Sequence, residues 1–383
     1  MENSWRRLVP PPDAPVPDPT PESAIPITMT EREHELTPPP QDKLLALAKA
    51  GDGPSFDRLV APYRRQLGSH CYRMLGSPHD ADDALQETMI AAWKGLATFE
   101  GRSSLKTWLH QIATNACLRA ISKRPKRVMS PDHAPSLADA SELGEPVLEP
   151  IWLEPLLDDD VLSDLAADVE PGALLQRREN VALAFVAALQ HLPGTQRAVL
   201  LLREVLEYSA AEVADMLQTS VASINSALQR AQKAVRERLP AVSQSAEQQA
   251  LGDDALQGLL GAFVREWEQR NVDGLVALLT EDARFTMPPL PAWFDGRAAV
   301  ARFIVDRLFA TPWRLVPLRA NGQPGFACYI RMPGQTRYRL GAINLLSIRD
   351  GRISAINGFL DPALHGRLGI PPEPPEKNLS PER

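Results

Sequence analysis

Three sets of side chains in this chain are placed to bind rather than to catalyse. Asp80, Asp83 and Glu87 recur on one helical stripe with Gln86 beside them. Acceptors in a row on a rigid face suit a basic partner helix. Further on, Phe99-Glu100-Gly101-Arg102-Ser103-Ser104 combines an aromatic ring, a glycine, a cation and hydroxyls. Such a loop, beside the cations Arg119, Lys123, Arg124, Lys126 and Arg127, suits one unstacked nucleic-acid base and its phosphates. The third set, Ser223, Asn225, Ser226, Gln229, Arg230 and Lys233, falls on the outward face of a helix that follows a short turn, where polar side chains reach base edges in a major groove. Solvated acidic faces and plain helical hairpins use the same residue types. The occurrence of all three in series is what a plain hairpin does not require.

The elements that must carry these residues have clear local signals. Ser77 is a helix N-cap followed by Pro78 at the first helical position and by Asp80, Asp82 and Asp83 in the turns where the dipole favours negative charge. Ala81, Ala84, Leu85, Thr88, Met89, Ala92, Trp93 and Leu96 then form the stripe expected to be buried. A second helix is expected after the loop, with Leu105, Trp108, Leu109, Ile112, Ala113, Ala116 and Ala120 inward. Later, Ser209-Ala-Ala-Glu212 reads as a capping box. Val213, Ala214 and Leu217 give its short helix an inner face. After Gln218–Ser220, the expected inner stripe of the next helix is Val221, Ile224, Leu228 and Ala231.

On Asp80-Ala-Asp-Asp-Ala-Leu-Gln-Glu-Thr88, Trp93, Phe99-Glu-Gly-Arg-Ser-Ser-Leu-Lys-Thr-Trp-Leu109 and Ile112-Ala-Thr-Asn115, the chain resembles region two of the sigma-70 family, in particular its extracytoplasmic-function type. The helix-turn-helix resembles sigma region four, in the right order. The resemblance implies that Asp80, Asp83, Gln86 and Glu87 bind core RNA polymerase. It implies that Phe99, Gly101, Arg102, Ser103, Ser104, Asn115 and Arg119 hold the opened strand of the minus-ten element. The outward residues of the later helix would bind the minus-thirty-five element. That helix has fewer Arg and Lys near its start than is usual in the family.

The chain has 383 residues, 44% hydrophobic and 23% charged, as in a soluble protein of two or three domains. Its net charge of -7 argues against a uniformly basic nucleic-acid coat, yet residues 42–129 hold fourteen basic against eight acidic side chains. With no apolar run of spanning length and no signal peptide, the expected location is cytoplasmic and away from the membrane. Cys71, Cys117 and Cys328 stand apart without CxxC pairing, so neither a metal site nor a disulfide framework is expected, and no cofactor. The expected organisation is a disordered Pro-rich extension at 1–41, with Met29 as an alternative start, and an all-α bundle at 42–129. An extended acidic linker at 130–175 and a helix-turn-helix unit at 176–240 follow. In the linker, Trp152 and Leu153 form an apolar pair that needs a docking surface. They resemble a Trp-Leu-Pro motif of sigma factors with an extra C-terminal domain.

Residues 252–370 read as an α+β unit, helices first and then strands in a meander, before a disordered tail at 371–383. On Asp282-Ala-Arg-Phe-Thr-Met-Pro-Pro289 and Trp293-Phe-Asp-Gly-Arg297 it resembles the SnoaL-like, ketosteroid-isomerase-like cone fold. Asp282, Tyr329, Asn344 and Asp361 are candidate catalytic groups whose spacing defines no acid–base pair, and His365 stands alone. The expectation is therefore a sigma factor with a fused regulatory domain and no catalysis. Its expected partners are core polymerase and promoter DNA, with room for a small ligand in the cone and for a separate anti-sigma protein. The alternatives are a helix-turn-helix regulator with a ligand-binding cone, or a cone enzyme fused to DNA-binding modules.

Overall fold

The computed structural model describes residues 41–141, 143–158 and 181–375. Residues 1–40 of the expected extension, 142 and 159–175 of the linker, 176–180 of the helix-turn-helix unit and 376–383 of the tail lie outside the described residues, while Gln41, expected in the extension, opens the first helix. Helices α1 (Gln41–Lys49), α2 (Gly53–Leu75), α3 (Pro78–Gly95) and α4 (Leu105–Lys123) build the first unit around Leu67, Ala92, Leu109 and Ala113. Their starts are set locally. Ser77 Oγ accepts from Asp80 N at 3.3 Å, and Ser104 Oγ accepts from Thr107 N at 3.0 Å, so the last residue of the loop is also the cap of α4. Trp93 stays 39% exposed at the rim of the expected buried stripe, edge-on to Phe56 with centroids 5.1 Å apart.

The second unit comprises helices Leu183–Gln190, Gly194–Leu200, Ala210–Met216 and Val221–Arg236. Both bonds of the Ser209–Glu212 capping box are present. The inner stripe of the last helix is Ile224, Ala227, Ala231 and Val235. Val221, expected inside, is 44% exposed because it sits at the helix start, next to the Ser220 cap and beyond the reach of the core.

In the third unit, helices Asp253–Glu268, Val272–Ala277 and Arg297–Phe303 lie against a six-stranded sheet. Its strands are β1 (Leu279–Thr286), β2 (Trp293–Asp295), β3 (Trp313–Ala320), β4 (Gln323–Ile330), β5 (Arg339–Arg349) and β6 (Arg352–Phe359), in the order β2-β1-β6-β5-β4-β3. The sheet is mixed, not a pure meander: β1 pairs with β6 in parallel, with Phe285 beside Ile356. The concave face closes over Phe263, Trp267, Phe285 and Phe303.

The linker corrects the sequence expectation. Far from running extended through solvent, its described residues 130–141 and 143–158 lie against the other units and bury Ala140, Leu143, Trp152 and Leu153. The tail expected at 371–383 is also docked as far as it is described: Tyr329 Oη donates to Pro371 O at 3.1 Å and Leu340 N to Pro372 O at 2.9 Å. One continuous apolar core joins Leu67, Leu153, Val186, Ala320, Ile343 and Leu364, drawn from all three units and the linker.

Candidate nucleic-acid interface

The acidic stripe of α3 divides in two. Gln86 and Glu87 are exposed and Asp83 half-exposed. Asp83 lies 3.4 Å from Arg124 and Glu87 lies 3.8 Å from Arg119, partners that a competing basic surface replaces at little cost. Asp80 is different, and the expectation that it stands on the exposed face is corrected. It is 4% exposed, paired with both Arg124 and the buried Arg127. Arg127 also donates to Trp152 O at 2.8 Å. Asp80 thus anchors the chain beyond α4 to the start of α3.

The loop from Phe99 to Ser104 stands out from the bundle with Gly101, Arg102, Ser103 and Ser104 exposed. Gly101 takes φ +73, with open space where a side chain would stand. Phe99 is held half-buried by the Trp108 ring, 4.9 Å away, and by the Lys49 ammonium, 5.7 Å from its centroid. On α4, Asn115 is half-buried and Arg119 exposed. The loop leads directly into α4, which carries Asn115 and Arg119 further along the same helix. On the second unit, Ser223, Asn225, Ser226, Gln229, Arg230 and Lys233 are all exposed along one helix.

These two surfaces belong to units that touch. Gln111, one turn before Asn115, donates to Met216 O at 3.3 Å, and Gly194 packs under Leu118 and Ile121. Arg197, 4% exposed, donates to Met74 O of α2 and to Gln190 Oε1 (2.6 Å); burial lowers its pKa to about 10. Nearby, Tyr208 Oη lies 3.1 Å from His110 Nδ1, and His70 Nε2 lies 3.0 Å from Thr114 Oγ1.

Burial holds both histidines neutral, with His110 lowered to about 4 and His70 well below the usual range. A histidine depressed on folding costs nothing at neutral pH and destabilises as pH falls below its ordinary value near 6.5. For His110 that cost reaches about 2 kcal/mol at pH 5. Thermal denaturation should therefore show a lower Tm at pH 5 than at pH 7.5, and His110→Gln should reduce the difference, leaving the share due to His70. An unchanged slope in that variant would remove His110 as its source.

The third unit fastens the other two. Asn321, 1% exposed, stands with Gly322 at the tip of the β3–β4 hairpin, at φ +56 and +69, the pair of positive values that a two-residue hairpin turn requires. Its Nδ2 donates to Tyr72 Oη of α2 (2.8 Å) and to Val181 O ahead of the second unit (2.7 Å). Its Oδ1 accepts from Leu156 N of the linker at 3.0 Å. A second fastening centres on Glu154, which accepts from Ser77 Oγ (2.6 Å) and from Arg367 Nη2 (3.1 Å), the latter on helix Pro362–Arg367 of the third unit. Beside it, Leu153 packs on Gly76, where a Cβ would meet it at 2.8 Å; this glycine also ends α2 at φ +72.

Family comparisons agree with this division. The sigma-70 region 2 model matches residues 59–127, the sigma-70 region 4 model residues 182–235, and the SnoaL-like domain model residues 260–356. The ECF RNA polymerase sigma factor SigG of Mycobacterium tuberculosis is 43% identical over 328 residues, covering 82% of this chain and 84% of its own. This chain is an ECF sigma factor. SigW of Bacillus subtilis, another ECF RNA polymerase sigma factor, is 27% identical over 197 residues, 51% of this chain and 95% of its own. The crystal structure of M. tuberculosis SigJ, also an extracytoplasmic function sigma factor, shares the fold: TM-score 0.52 at 22% identity, covering 79% of this chain and 95% of that one.

In this sigma factor, sequence reasoning passed over Asn321. The Asn-Gly pair between two strand-like runs is a strong hairpin signal and would have found the turn, though not its partners. The candidate catalytic groups of the cone do not converge. Asp282 pairs with Arg349 on the surface, Asp361 caps helix Pro362–Arg367, and His365 Nε2 donates to Phe359 O at 2.8 Å. Of the five, only Asn344 lines the apolar cavity inside the sheet. Among the described residues there is no His, Cys, Asp or Glu cluster fit to hold a metal, and no helix long and apolar enough to cross a membrane.

Proposed function

We propose that this sigma factor binds core RNA polymerase through Asp83, Gln86 and Glu87, and that Phe99–Ser104 with Asn115 and Arg119 captures the opened strand of the minus-ten element. Ser223, Asn225, Ser226, Gln229, Arg230 and Lys233 read the minus-thirty-five duplex. The SnoaL-like domain is a regulator rather than an enzyme, and the protein works in the cytoplasm where polymerase is. The state described above is a closed one. Two promoter elements roughly 25 base pairs apart are separated by about 85 Å at ~3.4 Å per step. The direct contact of region 2 with region 4, Gln111 on Met216, is the observation that carries this reading. One molecule cannot engage both elements until region 4 leaves α4. The SnoaL-like domain, through Asn321 and Arg367, holds that contact shut.

The two DNA surfaces should fail differently, since one acts on the opened strand and the other on intact duplex. In run-off transcription with purified core enzyme, Phe99→Ala with Ser103→Ala should abolish product but leave binding to a duplex upstream element unchanged. Asn225→Ala with Arg230→Ala should lose duplex binding and be partly rescued on a template with a pre-melted bubble. Equal defects of both pairs on both templates would overturn the two-surface assignment.

A further inference from the structure

The cavity inside the cone is walled by Trp267, Phe285, Phe303, Trp313 and Ile330, and it is completed by a residue from outside the domain, Leu143 of the linker. Leu143 is 4% exposed. With it in place the remaining room is about 50 Å³, far below the ~300 Å³ at which small-molecule pockets begin. The linker is strapped across this opening by Leu137 N to Trp293 O (2.8 Å), Trp293 Nε1 to Ala134 O (2.7 Å) and Val147 N to Pro289 O (2.9 Å). At its centre Arg307, which also lines the cavity, donates from Nε to Ala140 O (2.6 Å) and from Nη2 to Ser141 O. Those two donors form the side-on fork with which a guanidinium grips a carboxylate. In addition, the Nε1–H of Trp267, itself 1% exposed, has no acceptor among the described residues.

From this geometry we infer that the cone binds an apolar carboxylate, an aliphatic or aromatic acid, whose carboxylate replaces the Ala140 and Ser141 carbonyls on Arg307 while its apolar body replaces Leu143. Ligand and strap are then mutually exclusive occupants of one site. The consequence reaches the sigma regions through the chain itself, because Val147 O accepts from Trp152 Nε1 (2.8 Å), and Ile151 and Leu153 pair with Val128 at the end of region 2. Expelling Leu143 frees the segment that docks beside Gly76. The inference rests on the regulatory reading of the SnoaL-like domain only for this last consequence. The exchange of ligand for strap stands on the cavity alone.

The test uses the full chain and a series of straight-chain acids from hexanoate to dodecanoate, each paired with its alcohol. Calorimetry measures affinity, and hydrogen exchange follows the Leu137 and Val147 amides. The expected result is binding of one or more acids in preference to the alcohol, with faster exchange at both amides. Leu143→Ala should bind about tenfold tighter, since the competing plug is smaller. Arg307→Gln should lose the preference of acid over alcohol, a ratio that a mere change in stability does not move. Binding without faster exchange at the two amides would overturn the inference. So would a Leu143→Ala protein that takes up no acid of the series, or an Arg307→Gln protein that keeps the preference. If acid binding releases the strap while transcription stays unchanged, the exchange is supported and the regulatory reading of the domain fails.

Discussion

Reversing Asp83 and Glu87 to lysine together will abolish co-purification with core RNA polymerase while leaving the thermal stability of the protein nearly unchanged. Both carboxylates are solvent-facing and their internal partners, Arg124 and Arg119, lie at 3.4 and 3.8 Å on the surface, so their loss costs the fold little. Against a basic partner, each reversal turns attraction into like-charge repulsion, and the pair of them costs several kcal/mol, a loss of two or more orders of magnitude in affinity. Asp80→Ala is the contrasting case. It leaves the buried Arg127 guanidinium with Trp152 O and the more distant Glu154 carboxylate, 3.8 Å away, so the cost falls below the about 3–5 kcal/mol of a fully orphaned buried charge and its main effect should still be a lower Tm. If the double lysine variant keeps normal polymerase yield, the acidic face of α3 is not the contact.

Asn321→Ala carries the second large effect. The substitution removes the three side-chain hydrogen bonds to Tyr72, Leu156 and Val181, leaving the backbone bonds of Asn321 N to Leu156 O and Gly322 N to Asp158 Oδ1, and it places alanine in a left-handed turn. Leaving buried partners unsatisfied costs about 1–3 kcal/mol each. Asn321→Gly keeps the backbone conformation and isolates the clasp from the turn. Both variants should raise run-off transcription at limiting protein and widen the separation between regions 2 and 4, the glycine variant with the smaller loss of stability. Arg367→Glu should act in the same direction, by repelling Glu154 across the second fastening. Closed and equally active variants would show that the SnoaL-like domain does not hold the two regions together.

What was legible in the sequence was local. Ser77 and Pro78 announce α3, Ser209 and Glu212 close a capping box three residues apart, and the outward set on Val221–Arg236 follows from helical period alone. What failed depended on residues far apart in the chain. Asp80 looks like its neighbours Asp83 and Glu87 until Arg127, 47 positions away, covers it. The linker has the composition of a solvated segment, and beyond the apolar pair Trp152 and Leu153 its docking rests on scattered residues such as Ala140, Leu143 and Pro155 that carry no pattern. The pairing of β1 with β6 joins strands more than sixty residues apart, which no hairpin signal announces. Asn321 is a plain turn residue by sequence, and its role as a clasp exists only because three separate segments end beside it.

The most direct measurement is the distance between region 2 and region 4 before and after promoter binding. The three native cysteines are free and buried, so single cysteines placed at the exposed Ser122 and Glu237, outside both proposed DNA surfaces, can be labelled for a double electron–electron resonance or fluorescence-transfer experiment. The account predicts a short distance in the free protein and a large increase on adding core polymerase and promoter DNA together. A free protein whose labels are already far apart, or a distance that stays short in a transcribing complex, would contradict it.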